Sequence, residues 1–168
     1  MPNWCENNLT ISGPEKDIKA LVNKIKNKKR KPENFRLFTP FIPLPQELRG
    51  TTSPTPIAAT NVKGIKEAIK QRKLTIKYGE TNWYDWQVAN WGTKWEPQIY
   101  YLGPLEKGKK TSKQIISFDS AWSPPVEGIF NLSKIFPTLT FKMSYKEEGM
   151  GFKGTEKMKD GKVLMAKV

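Results

Sequence analysis

Polar and apolar residues alternate through WCENNLTISG, residues 4–13, with Cys5, Leu9 and Ile11 on one side and Trp4, Glu6, Asn8 and Thr10 on the other. A period of two marks a half-buried strand, and Gly13 ends it. On this register Cys5 is a small core residue rather than a reactive thiol. Asn7 shares its side, where a buried amide must find partners. After Pro14, a residue suited to a first helical turn, the period changes. Ile18, Leu21, Val22 and Ile25 recur at i, i+3, i+4 and i+7, which predicts an amphipathic helix over residues 14–28. Lys16, Lys19, Lys24 and Lys26 occupy its other face and run into the basic stretch KNKKRKPEN. That stretch reads as a solvated helix end that suits the helix dipole; a phosphate-contacting tail is the alternative.

FRLFTPFIPLPQEL, residues 35–48, carries three prolines, which exclude a central strand or a regular helix and leave an extended segment laid over the core. GTTSPTPIAATN is a loop by composition. A helix over Val62–Arg72, using Ile65, Ala68 and Ile69, and a short strand LTIKY over residues 74–78 are expected next. In NWYDWQVANWGTKWEP, Asn82 caps a helix from Trp83 and Gly92 ends it in the left-handed conformation. Tyr84, Val88 and Trp91 fall on one face of that helix, and Trp83, Trp86 and Asn90 on a neighbouring one. No single stripe buries all these rings against one sheet. The expectation is therefore a divided segment, with Trp91 in the core beside Tyr84 and Val88. At least one of Trp83, Trp86 and Trp95 then lines a concave surface with Lys94 and the strand end at Asp119–Trp122.

The C-terminal half reads as strands at residues 97–102, 114–120 and 139–145, with a hairpin partner near GMGFKGTE and a short strand or ordered tail at KVLMAKV. A helix is predicted over residues 126–137, through Ile129, Phe130, Leu132 and Ile135. Together these elements give an α+β fold, a ferredoxin-like split βαβ sandwich: an antiparallel sheet with its helices on one face and a long helical insertion. Residues 1–168 form one domain, in which residues 30–96 are the insertion carrying the tryptophan-rich segment.

Composition narrows the chemistry. A net charge of +13 over 168 residues attracts polyanions, although a merely lysine-rich protein has the same composition. The absence of histidine removes histidine bases, histidine-dependent nucleophiles and histidine metal sites, and the single cysteine removes thiolate zinc clusters. Asp85, Glu96, Asp119, Glu127, Glu147 and Glu148 show no diagnostic spacing. The expectation is a non-catalytic protein with no catalytic residue, metal or cofactor. No signal peptide or apolar span is present, which points to the cytoplasm and away from a membrane partner.

The rings supply the candidate site. Aromatic side chains stack on any nucleobase, and Lys94 places a cation between Trp91 and Trp95. A second stretch, SFDSAWSPP, brings Asp, Ser and Trp to a strand end; the same residues also suit the cap of the following helix. The ligand-binding candidates are Trp83, Tyr84, Trp86, Trp91, Lys94, Trp95, Asp119 and Trp122.

The blocks MPNWCENNLTISG, NWYDWQVANWGTKWEP, FDSAWSPP and FPTLTFKMSYKEEGMGFKG, in that order, resemble small phage- and plasmid-encoded proteins with a YubB-type ferredoxin-like domain. The resemblance implies a ferredoxin-like fold, a mobile-element origin and an intracellular setting, and carries no activity with it. Its recurring residues correspond to Asn3, Trp4, Cys5 and Asn7, to Asn82, Trp83, Tyr84, Trp86, Asn90, Trp91, Gly92, Lys94 and Trp95, and to Asp119, Trp122, Pro124 and Pro125. Two functions are compatible with these features. One is capture of a nucleotide-like small anion, including sequestration of a host immune signal by a phage counter-defence protein. The other is a nucleic-acid-binding module using the basic surface and exposed rings.

Overall fold

β1 (Trp4–Gly13) carries out the alternation in full: Cys5, Asn7, Leu9 and Ile11 are buried, while Glu6 and Asn8 are exposed. The computed structural model describes residues 2–27 and 31–168. Residues 28–30 of the basic run lie outside the described residues. α1 (Glu15–Lys26) buries the predicted stripe of Ile18, Leu21, Val22 and Ile25, with Pro14 as its N-cap. β2 (Gln98–Leu102), β3 (Ser112–Ala121), α4 (Val126–Ile135) and β4 (Thr140–Glu147) complete a βαββαβ unit, and β5 (Phe152–Lys159) and β6 (Lys162–Lys167) follow. All neighbours pair antiparallel in the order β2-β3-β1-β4-β5-β6. The first four positions are the ferredoxin-like arrangement, and the last hairpin widens the sheet beyond β4.

α1 packs on β1 and β3, and α4 on β4 and β5, all over one face. That face supplies the core: Leu9, Ile11, Ile116, Phe118, Phe141 and Met143 meet Ile18, Leu21, Ile129 and Leu132. Within this layer Asn7 satisfies its amide by donating to Cys5 O at 2.7 Å, Ser120 Oγ at 2.9 Å and Phe118 O at 3.3 Å. Burial pushes the Cys5 thiol up to about 11, so the side chain is a neutral core group. Among the described residues no helix packs on the opposite face of the sheet.

Between α1 and β2 lie α2 (Val62–Tyr78) and α3 (Trp83–Trp91). The strand expected at residues 74–78 is instead the last turn and a half of α2. Leu-Thr-Ile-Lys-Tyr alternates like a strand, but no glycine or proline separates it from the helix before it, so the helix continues to Gly79 in the left-handed conformation (φ 83°). Leu74 is the buried residue at that end, while Ile65 and Ile69, expected to pack, are exposed.

Candidate functional site

Asn82 and Gly92 bound α3 as the sequence predicts: the Asn82 side chain accepts from Asp85 N, and Gly92 is left-handed at φ 77°. The way its faces are shared out differs from the expectation. Trp86, Gln87 and Trp91 are buried, whereas Val88 is 40% exposed and Tyr84 is half-buried. The second face is covered by the protein itself. Trp91 donates from Nε1 to Ile42 O at 3.0 Å and packs on Phe38 at 5.9 Å and edge-to-face on Trp86 at 6.1 Å. The proline-rich segment of residues 35–48 thus takes the place of the missing second body. Glu96 holds that segment down, accepting from Phe38 N (2.7 Å), Thr39 N (2.9 Å) and Thr39 Oγ1 (2.5 Å).

The sequence-selected residues therefore separate into groups. Trp83 and Trp91 border a cavity of about 390 Å³ with Thr39, Leu44, Arg49, Gln87 and Glu96, and Trp86 lies behind it. Neither Lys94 nor the Asp119–Trp122 strand end reaches this cavity. Tyr84, Lys94 and Trp95 instead form a stack that continues to Trp4: Lys94 Nζ lies 5.8 Å from the Tyr84 ring and 4.5 Å from the Trp95 ring, and Trp95 lies 6.5 Å from Trp4. Trp122 has φ 70° and is 45% exposed, with its N–H donated to Asn3 O. SFDSAWSPP supplies α4 with its N-cap, Pro125, but no side-chain capping bond; Ser123 Oγ donates to Gly92 O instead and ties the turn to α3.

Asp119 belongs to a different surface. On the helix-free face, strand register aligns Gln98, Asp119, Glu6, Lys146 and Lys153 in one row across β2, β3, β1, β4 and β5. The next row is Tyr101, Ser117, Asn8, Ser144, Thr155 and Lys167, and the one after it contains Lys142 opposite Lys157. Charge is divided along these rows: carboxylates sit on β1 and β3, lysines on β4, β5 and β6. A basin of about 560 Å³ lies across the division, lined by Glu6, Asn8, Tyr100, Ser144, Lys146, Lys153, Thr155 and Lys167. Lys146 is 2.5 Å from the exposed Glu148. No carboxylate is paired with Lys153 or Lys167 among the described residues. Tyr100, at a bulge of β2, is 62% exposed and offers a ring at the rim.

Burial and the neighbouring Glu6 raise the Asp119 carboxyl above its usual range, and its Oδ1 has no donor within the protein. A carboxyl raised on folding favours the fold while protonated, and that contribution is lost as pH rises through its folded value. Asp119→Asn is therefore expected to raise the thermal midpoint at neutral pH. The gain over wild type should shrink as pH falls from about 7 to about 4; an offset equal at every pH would contradict this.

Sequence reasoning missed the basin. No period in the sequence links its lysines, and the β4–β5–β6 pairing brings them together. Tyr100 falls within the strand expected at residues 97–102, and its bulge leaves no periodic signal.

Comparison with known proteins bears on the fold. Residues 90–167 match the family model described as "Ferredoxin-like domain in Api92-like protein". The matched stretch runs from the end of α3 through β6 and so includes the lysine-bearing half of the open face. Across the chain, the crystal structure of protein api92 from Yersinia pseudotuberculosis superposes with a TM-score of 0.55 at 11% identity, covering 99% of this chain and 97% of that one. At that identity the likeness concerns the fold, which agrees with the ferredoxin-like expectation. No curated protein matches the sequence. Among the described residues no helix is long and apolar enough to cross a membrane.

Proposed function

We propose that the chain is a non-catalytic binding protein that captures an anionic, nucleotide-like ligand on the open face of its sheet. The observation that supports this reading is the polarity of the basin. Lys153 and Lys167, with Lys146 beside its Glu148 partner, offer cations for phosphate on one side, while Glu6 and Asn8 offer acceptors for base amino groups on the other. Tyr100 supplies a face for stacking, and a basin of about 560 Å³ falls within the range of small-molecule sites. The reading moves the ligand away from Trp86 and Trp91, whose rings are committed to the core. It keeps Asp119 beside the basin, opposite Glu6, with the Lys94–Trp95–Trp4 stack outside the basin, beyond Glu6 on β1.

The resemblance to YubB-type proteins of phages and plasmids supplies the biological half of the proposal. In the cytoplasm of a host cell, a small protein that holds a signalling nucleotide acts by sequestration, as a counter-defence protein does.

The test is a thermal-stability panel of mononucleotides, cyclic dinucleotides and ADP-ribose derivatives. A ligand at a hundred times its Kd stabilises by about 2.7 kcal/mol, which for a chain of this size is a rise of roughly 5–10 °C. Lys153→Glu combined with Tyr100→Ala should abolish the rise, and Trp83→Ala should preserve it. The reading fails if no phosphate ligand stabilises the chain, if the basin variant responds like wild type, or if the ligand is turned over.

A further inference from the structure

We propose that the occupant of the open face is a single-stranded nucleic acid several nucleotides long, an inference that rests on the basin being a phosphate-and-ring site. The first reason is that the lysine array extends beyond the basin. Lys146 lies directly opposite Lys153, and Lys142 directly opposite Lys157, in the β4–β5 register. Like charges directly opposite on one sheet face destabilise it, and bound phosphates reverse the sign of that interaction. The two pairs are four residues apart along their strands, roughly 13 Å. A phosphate at the first pair leaves the second without an anion, and one nucleotide does not serve both.

The second reason is the way the face is divided. In the rows that cross the basin and the Lys142–Lys157 pair, lysines lie on β4, β5 and β6, and Glu6, Asp119, Asn8 and the Tyr100 ring lie on β1, β3 and β2; Lys113, at the far end of β3, is the exception. A single strand running along β4 has the same asymmetry: its backbone lies over the lysines and its bases lie over the carboxylates and rings. Base amino groups donate where a phosphate would be repelled. A duplex carries a backbone on both sides of its bases and would set one of them over Glu6 and Asp119. An anionic membrane mixes its amino groups and phosphates within each headgroup and does not set them on opposite halves of one sheet face. At the end of β1, Trp4 is 39% exposed and stacked near Trp95, under Lys94, which gives a further base a ring and its phosphate a cation.

The experiment measures fluorescence anisotropy of the full chain with labelled single-stranded DNA and RNA of increasing length, with duplexes of equal length and with AMP as competitor. Affinity should climb with length to about eight nucleotides and then level off, and should fall with salt by roughly 0.7 log units per decade for each phosphate contacted. Lys142→Glu with Lys157→Glu should weaken binding of the longer strands at least tenfold while leaving AMP binding at the basin intact. The same charge change at Lys66 and Lys73 on α2 should have little effect. AMP binding with no gain from length overturns this inference and leaves the nucleotide reading standing; binding of neither AMP nor oligonucleotide overturns both. Equal affinity for duplex, or equal losses from the β4–β5 and α2 variants, shows attraction by net charge alone and also overturns it.

Discussion

Trp91→Ala is expected to destabilise the protein by about 3–5 kcal/mol, the scale of large aromatic truncations in a core. Trp91 is 2% exposed and touches three parts of the chain at once: Trp86 on its own helix, Phe38 in the proline-rich segment, and the Ile42 carbonyl through Nε1. Removing the indole leaves a void among rings that cannot collapse onto a methyl group, and it takes the donor from Ile42 O. Two to four degrees per kcal/mol gives a fall in the thermal midpoint on the order of 10 °C. Trp95→Ala, at a ring that is 40% exposed, should stay within about 1 kcal/mol of wild type. Equal losses at the two positions would mean that the division of α3 into inner and outer rings is wrong.

Glu96→Ala should cost about 3 kcal/mol, although the residue lies outside the apolar core. Its carboxylate accepts two backbone N–H groups and one hydroxyl from Phe38 and Thr39, and hydrogen bonds to a charged acceptor contribute roughly 1.5–3 kcal/mol each. Without it the Phe38 and Thr39 N–H groups lose their acceptor beside a fully buried Phe38 ring. Glu96→Gln keeps one acceptor oxygen and should fall between wild type and Ala. Both Glu96 and Trp91 hold the same segment against α3, so urea unfolding of the double variant should show a loss smaller than the sum of the single losses. Full additivity, or a Glu96→Ala protein as stable as wild type, would show that the segment is held by something else.

The parts of the fold legible in the sequence are those where one period dominates. β1, α1 and α4 each carry an unbroken pattern, and each appears within a few residues of its expected ends. Periodicity misled at residues 74–78, where alternation competes with helix propagation and the deciding feature is the absence of a breaker before Gly79. At α3 the caps were readable but the orientation was not. A helix with rings on several faces has no stripe to orient it, and the covering surface comes from residues 35–48, far away in sequence. Trp91 lies inward as expected and Trp86 joins it, whereas Val88, expected beside Trp91 in the core, lies outward. Charge was visible as a total, whereas its segregation depends on which strands pair. Lys142, Lys146, Lys153 and Lys157 become an array only once β5 lies against β4.

The most direct test of where the ligand sits is an amide and indole chemical-shift map of the full chain titrated with AMP. A site on the open face predicts saturable shifts at Asn8, Tyr100, Ser144, Lys146, Lys153, Thr155 and Lys167, with the Trp86 and Trp91 indole signals unmoved. Saturable shifts centred on Trp83, Gln87 and Trp91, with the strand residues unmoved, would place the ligand in the α3 cavity and contradict the account.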